Sequence, residues 1–127
     1  MRNEIKISFK EPKYHIDKTN KVIVCILEGE PQLPRTIDYT SHNFIDKWIA
    51  VPFTTKGVAR LSPNDEFDEK IGMKVALAKA ESKAYEFVGT QLKEYVKNIN
   101  KAIEQCKDFF WKSANVIEHN DKYLEQF

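Results

Sequence analysis

Five cationic side chains near the middle of the chain are the residues whose types and spacing best suit binding chemistry. They are Arg60, Lys70, Lys74, Lys79 and Lys83. Guanidinium and ammonium groups are the donors that proteins use to hold phosphate, so this set predicts a site for a phosphate or a small nucleotide. Further along the chain, glutamates alternate with the lysines, which is typical of a solvated helix face. A nucleic-acid backbone is the alternative ligand for the five cations.

Catalytic groupings are sparse. His15, His42 and His119 lie in separate segments without metal-ligand spacing, and the chain has no Cys-x-x-Cys pair, glycine-rich phosphate loop or nucleophile motif. We therefore expect no enzyme, no metal site and no cofactor. An enzyme remains the third hypothesis, with a cleft beside the Glu28 to Thr40 loop that would use Asp38, Tyr39 and His42.

Composition bounds the protein class. The 127 residues suit one domain, and 20 basic against 19 acidic residues give a net charge of +1, which attracts no polyanion as a whole. The apolar runs are too short to cross a membrane, so we expect a soluble protein of the cytoplasm. Cys25 and Cys106 form no framework of spaced cysteines and are expected to be free, mostly buried thiols.

The elements that must position these residues divide the chain into two parts, 1–62 and 63–127. In the first part, Glu4 to Phe9 alternates in the manner of a strand, a hairpin is expected about Lys18 to Asn20, and Lys21 to Leu27 is predicted to be a buried strand. Gly29, Pro31 and Pro34 predict a loop from Glu28 to Arg35. Ser41 to Val51 fits one short helix, although an irregular strand from Trp48 to Phe53 fits nearly as well. Lys56 to Leu61 is expected to form a last strand with a turn or bulge at Gly57.

The second part contains no proline after Pro63 and carries an apolar stripe at helical spacing. The stripe comprises Ile71, Val75, Ala78, Ser82, Tyr85, Val88, Leu92, Tyr95, Ile99, Ile103, Cys106, Phe110, Ala114 and Ile117. We expect a helix to begin between Ser62 and Asp68, with its acidic first turn facing the positive end of the helix dipole. The predicted class is thus α+β, with a small antiparallel sheet of three to four strands followed by one very long helix or two antiparallel helices.

The length of this helical part predicts self-association. A single helix from Glu66 to Gln126 would be about 90 Å long, whereas a compact globule of this size is about 35 Å across. The helix must therefore either turn back at Gly89, where Thr90 would cap a second helix, or pair with another copy. The stripe keeps its register through Gly89, which favours a continuous seam and a homo-oligomer. The predicted interface comprises Tyr85, Val88, Leu92, Tyr95, Ile99, Ile103, Phe110 and Trp111.

Residues 53–80 resemble a segment of small bacteriophage and prophage proteins, most of which have no assigned function. In that segment a strand leads to a Pro-x-Asp-x-Phe-Asp turn, a glycine four residues on, and an alanine-rich helix. The matching residues here are Gly57, Val58, Pro63, Asp65, Phe67, Asp68, Gly72, Ala76, Ala78, Lys79 and Ala80. The resemblance implies a strand-to-helix corner, in which Phe67 packs beneath the strand and Gly72, Ala76 and Ala80 allow close contact between helix and sheet.

The same resemblance implies a phage origin. Some phage counter-defence proteins that sequester cyclic-nucleotide immune signals are similar in outline, with a small sheet, long helices and a symmetric oligomer. The leading hypothesis is therefore a non-enzymatic phage protein in the host cytoplasm that binds a host protein or a small nucleotide-like signal. The alternative is a nucleic-acid-binding accessory protein that uses the five cations. No membrane partner is expected.

Overall fold

The computed structural model describes residues 4–34, 51–62 and 66–127. Its elements are the strands β1 (Lys6–Phe9), β2 (Lys13–Asp17), β3 (Val22–Gln32) and β4 (Phe53–Arg60) and the helix α1 (Glu69–Leu124). The four strands form one antiparallel sheet, and a single long helix follows it. The predicted α+β class is confirmed. Predictions for Ser41 to Ala50, and for Asp38, Tyr39 and His42, lie outside the described residues.

The long strand β3 is the centre of the sheet. One edge of β3 pairs with β4, while β1 and β2 pair one after the other along its opposite edge. Phe9 pairs with Gly29, and Lys13 pairs with Ile26. Between these two pairs, three residues (10–12) lie opposite two residues of β3 (27–28). This extra residue is a β-bulge between β1 and β2, and it allows both strands to share one edge.

A tight hairpin joins β2 to β3, as predicted. The backbone amide of Asn20 donates to Asp17 Oδ1 at 3.1 Å, and its side-chain amide donates to Asp17 Oδ2 at 2.8 Å. Lys21 adopts φ 54° and closes the turn before Val22. The carboxylate of Asp17 thus accepts the hydrogen bond of a backbone amide in the turn, as an Asx turn does.

The predicted loop from Glu28 to Arg35 is wrong in its first part, because β3 continues to Gln32. Pro31 lies within the strand opposite Ile7. The amide of Lys10 donates to the carbonyl of Glu28, so the even-numbered residues of β3 exchange hydrogen bonds with the edge on which β1 and β2 lie. The nitrogen of Pro31 therefore faces the other edge, where the ladder with β4 has already ended at Phe53, and its missing hydrogen breaks no bond.

The contact between α1 and the sheet depends on small residues. Gly57 is neither a turn nor a bulge, since it pairs with Cys25 in the middle of β4. A β-carbon on Gly57 would stand 2.0 Å from the carbonyl oxygen of Ala76 and 2.6 Å from the amide nitrogen of Ala80. The backbone of the helix therefore lies directly against the backbone of β4.

Asp68 is the N-cap of α1 and directly precedes its first residue, Glu69. Its Oδ1 accepts from the amide of Ile71 at 3.2 Å, and its carbonyl accepts from the amide of Gly72 at 2.9 Å. The first bond satisfies a donor that the first helical turn leaves unpaired, and the second is the first regular hydrogen bond of the helix. The helix therefore begins at Glu69, just after the predicted range.

The alternative of two antiparallel helices is wrong. Gly89 lies inside α1, and Thr90 does not cap a second helix, because its hydroxyl donates to the carbonyl of Glu86 at 2.9 Å. This bond to the preceding turn is compatible with an unbroken helix.

The face of α1 that packs on the sheet differs from the predicted stripe. The buried helical residues are Gly72, Ala76, Ala80, Ala84 and Val88, each four residues after the last. Ile71 and Tyr85 from the predicted stripe are both 56% exposed. Large apolar residues cannot occupy the buried face, because they would separate the helix from Gly57.

The chain divides into two compact units, residues 1–92 and 93–127. The core of the first unit comprises Ile23, Cys25, Leu27, Ala59, Ala76 and Ala80. Phe67 packs against this core, as the predicted strand-to-helix corner requires. Among the described residues, no helix is long and apolar enough to span a membrane.

Candidate interaction surface

The second unit presents a row of exposed apolar side chains that repeats every seven residues. The row consists of Val96, Ile103, Phe110, Ile117 and Leu124, which are between 43% and 66% exposed. Seven residues are close to two helical turns, so the five side chains lie along one line of the helix. Such a row in water is unusual for an isolated helix.

Two further rows flank the first one and widen it. One residue before each member of the row lie Tyr95, Ala102, Phe109, Val116 and Tyr123. Three residues after the first four members lie Ile99, Cys106, Ser113 and Asn120. We call these three rows together the heptad face. Two of its three rows consist of aliphatic and aromatic residues alone, which gives a hydrophobic band of the width that helix bundles bury.

Aromatic side chains make up much of this face near its middle and its end. Phe109 and Phe110 lie edge to face, with ring centroids 6.4 Å apart, and Tyr123 and Phe127 do so at 5.2 Å. Phe110 is 66% exposed in spite of its ring contact. Because aromatic side chains dominate the energy of protein interfaces, these rings favour a docking surface over a solvated one.

Trp111 is 74% exposed and lies beside the heptad face, not within it. Together with Lys107, Phe110 and Ala114 it lines a shallow groove of about 270 Å³. The ammonium of Lys107 lies 3.8 Å from a carboxylate oxygen of Glu104. The groove therefore extends the apolar surface from Phe110 around the side of the helix.

The residues predicted as an interface divide between the two units. In the first unit, Val88 is buried at 4% exposure, Leu92 is half-buried, and Tyr85 contacts Phe9 with ring centroids 6.1 Å apart. In the second unit, Tyr95 and Ile99 are half-buried, while Ile103, Phe110 and Trp111 are exposed. The prediction omitted Val96, Phe109, Val116, Ile117, Tyr123 and Leu124. The seven-residue period would have found all six.

Two of the five candidate phosphate-binding cations are engaged by the sheet. Lys79 Nζ donates to the carbonyl of Val58 at 2.9 Å, and Lys83 Nζ donates to the carbonyl of Lys56 at 2.8 Å. Both carbonyls belong to the edge of β4 that faces away from β3. No strand among the described residues pairs with this edge, so the two ammonium groups cover backbone acceptors to which a further strand could otherwise add.

The other three cations lie at two further places. Arg60 is at the end of β4 opposite Val22 and lines a cleft of about 590 Å³ with His15 and Asp17. Lys70 and Lys74 are exposed on the first turns of α1. Ala59 faces the helix, so the next residue, Arg60, points to the opposite face of the sheet. No single pocket among the described residues is lined by all five cations.

The thiol of Cys25 in the core is in contact with the hydroxyl of Tyr14. Burial raises the pKa of the Cys25 thiol, against the opposing effect of a hydrogen bond from Tyr14, and burial also raises the pKa of the Tyr14 hydroxyl. Within residues 4–34, 51–62 and 66–127, no group of three His, Cys, Asp or Glu side chains is placed to hold a metal ion. Both cysteines are free, but only Cys25 is buried, because Cys106 lies on the exposed heptad face.

Comparison with known proteins adds no family to this description. No protein-family model matches the chain, and neither the curated proteins nor the solved structures give a significant match.

Proposed function

We propose that this chain is a non-enzymatic binding protein that assembles into a homo-oligomer through its heptad face. The observation that carries the proposal is the row from Val96 to Leu124, whose members stay between 43% and 66% exposed in the single chain. Burying an apolar side chain stabilises an assembly by roughly 25 cal/mol for each Å² removed from water. A second copy offers the same row and therefore a matching surface.

The assembly would act by binding a host factor or a host immune signal. The choice of a host target rests on the resemblance of residues 53–80 to phage and prophage segments. A function by binding alone needs no catalytic group. Self-association repeats every site of the first unit by symmetry, which suits sequestration of a small, symmetric or abundant ligand. The cleft beside Arg60 is a candidate for that repeated site.

Nucleic-acid binding by the five cations has less support. Lys79 and Lys83 already donate to β4 carbonyls, so a phosphate would have to compete with those bonds. If nucleic acid is nevertheless the ligand, its affinity must fall steeply with salt, because each phosphate contact releases counterions. Affinity that stays constant between low and moderate salt would exclude this alternative.

The test of self-association is the mass in solution, measured by light scattering over a dilution series. The 14.8 kDa chain should show a mass of at least twice that value. Phe110→Glu or Ile117→Glu should reduce the mass to that of the monomer, because each places a charge in the apolar band. The matched control is Gln105→Glu, which adds the same single charge at an exposed residue outside the heptad face. A monomeric wild-type chain at all concentrations would refute the proposal.

A further inference from the structure

We propose that two heptad faces pair in opposite directions about a two-fold axis near residue 108. This inference rests on the proposed self-association and specifies its geometry and register. It commits to a second copy of this chain as the occupant of the face. The charges along the helix, the sizes of the paired side chains and the exposed area of the face support it.

The charge of the second unit changes sign at its middle. Residues 93–107 contain four lysines and two glutamates, a net charge of +2, whereas residues 108–127 contain two lysines and four acidic residues, a net charge of −2. Opposite directions place the positive half of one helix beside the negative half of the other, while a parallel pair would place like beside like. The macrodipoles of the two helices favour the same arrangement.

Exposed intrahelical ion pairs do not remove this asymmetry. Lys107 pairs with Glu104, and Lys122 pairs with Glu118, at side-chain exposures between 63% and 74%. Each pair lies within one half of the unit, so it leaves the net charge of that half unchanged. Exposed pairs of this kind are also weak and can rearrange on association.

Side-chain sizes select the register. In an antiparallel pair centred at residue 108, four members of the central row face the row of Ile99, Cys106, Ser113 and Asn120 in the second copy, and three of those four partners are smaller or more polar. Phe110 faces Cys106 of the second copy, Ile103 faces Ser113, and Val96 faces Asn120. A parallel pair would instead set Phe110 against Phe110 and Asn120 against Asn120. The antiparallel register therefore fills the seam more evenly, because wide and narrow layers do not alternate.

The flanking row completes the seam on one side. In the same register Phe109 faces Phe109 at the two-fold axis, and Tyr95 faces Tyr123 at each end. On the other side, Lys93 faces Asp121, which is an opposite-charge contact at both ends of the pair. No charged residue of the heptad face is buried by this arrangement, since the face contains none.

The exposed area is sufficient for a specific pair. The eight exposed members are Val96, Ile103, Phe109, Phe110, Val116, Ile117, Tyr123 and Leu124. With about 150 to 250 Å² for each aromatic side chain and less for each aliphatic one, they expose on the order of 800 Å² together. A standard protein interface buries about 800 Å² on each partner.

The orientation can be tested by disulfide trapping in a Cys106→Ser background, where Cys25 remains buried. Phe109→Cys should form a cross-linked dimer on mild oxidation, because residue 109 meets itself at the axis. Ile103→Cys should stay uncross-linked, since its two copies would lie about 15 Å apart along the pair. A parallel pair predicts the reverse, because residue 103 would then meet itself in the central row.

The outcomes separate the inference from the function on which it rests. Cross-linking of Phe109→Cys alone supports the antiparallel register, and cross-linking of Ile103→Cys, of both variants, or of neither in a dimeric protein overturns it. If the Cys106→Ser parent is monomeric while the wild type is dimeric, Cys106→Ala replaces it as the parent, with the same expected bands. A monomeric wild type refutes self-association itself. If Phe109→Cys fails to fold, a mixture of Tyr95→Cys and Tyr123→Cys chains replaces it, and only the mixed pair should cross-link.

Discussion

Gly57 and Ala76 bring the backbone of β4 and the backbone of α1 into contact, so that a β-carbon on the glycine would stand 2.0 Å from the alanine carbonyl oxygen. Thr55 strengthens the same junction, because its hydroxyl donates to the carbonyl of Ala80 at 2.8 Å. The obstacle at Gly57 is backbone, which cannot rotate away as a side chain can. The close approach of helix and sheet therefore depends on this residue having no side chain.

Gly57→Ala should lower the free energy of unfolding by about 3 kcal/mol, because the helix must shift to admit one methyl group. The matched control is Gly89→Ala. Gly89 lies inside α1 and is also replaced by alanine, but nothing lies within 4 Å of its added β-carbon. The control should raise the free energy of unfolding by about 0.5 to 1 kcal/mol. Urea unfolding at one protein concentration measures both, and equal effects would contradict the backbone contact.

The buried face of α1 shows what sequence periodicity can and cannot predict. The helix, its start near Asp68 and the strand-to-helix corner follow from spacing, capping and small residues. The stripe chosen by large apolar residues, however, includes Ile71 and Tyr85, which are exposed. The true contact face is made of glycine and alanine, because backbone contact with Gly57 requires it. A search for large residues misses such a face.

Lys79 and Lys83 should protect the edge of β4. Replacing both with methionine keeps the length of the side chains and removes the charged donors to Val58 and Lys56. We expect a loss of about 1 kcal/mol in stability and faster aggregation, since an uncovered strand edge can pair with another chain. Lys70→Met, on an exposed turn of the same helix, is the control. Thermal unfolding and turbidity measure the two effects, and a double variant that behaves like the control would contradict them.

Asp17 should stabilise the β2–β3 hairpin in a pH-dependent manner. Its hydrogen bonds from the backbone amide and then from the side chain of Asn20 lower the pKa of the carboxyl. A lowered pKa in the folded state gives stability that is present above the usual carboxyl pKa of about 3.9 and is lost as the pH falls through the folded value. Asp17→Ala should therefore destabilise the protein at pH 7 and have a smaller effect in acid.

The control for Asp17 is Asp17→Asn, which keeps an acceptor oxygen but cannot titrate. Measured against the wild type, its destabilising effect on urea unfolding should also shrink in acid, because the wild-type carboxyl is then protonated. It should be smaller than that of Asp17→Ala at both pH values, because the amide oxygen of asparagine can still accept a hydrogen bond. An effect of Asp17→Ala that is the same at both pH values would show that the charged carboxylate contributes nothing to the turn.

The candidate surfaces were predictable to different degrees. Helical spacing predicts a stripe that includes Ile103, Phe110 and Ile117, and the seven-residue period of the second unit adds Val96 and Leu124. The five cations look continuous in sequence but occupy different places, because Arg60 is on a strand and Lys79 and Lys83 bend back to β4. Which strand edge a lysine reaches depends on tertiary packing, and one sequence does not contain that information.

The two cysteines should react with thiol reagents at different rates. Cys25 is fully buried, and burial raises the pKa of its thiol, so it holds less thiolate at pH 8 than an ordinary cysteine and should not be labelled in the folded protein. Cys106 is exposed on the single chain and should be labelled quickly when the protein is dilute. In the assembled protein, Phe110 of a second copy should cover Cys106, so its labelling should slow as the concentration rises. Phe110→Glu should restore fast labelling at high concentration, and a rate for Cys106 that is independent of concentration in a dimeric protein would contradict its place in the seam.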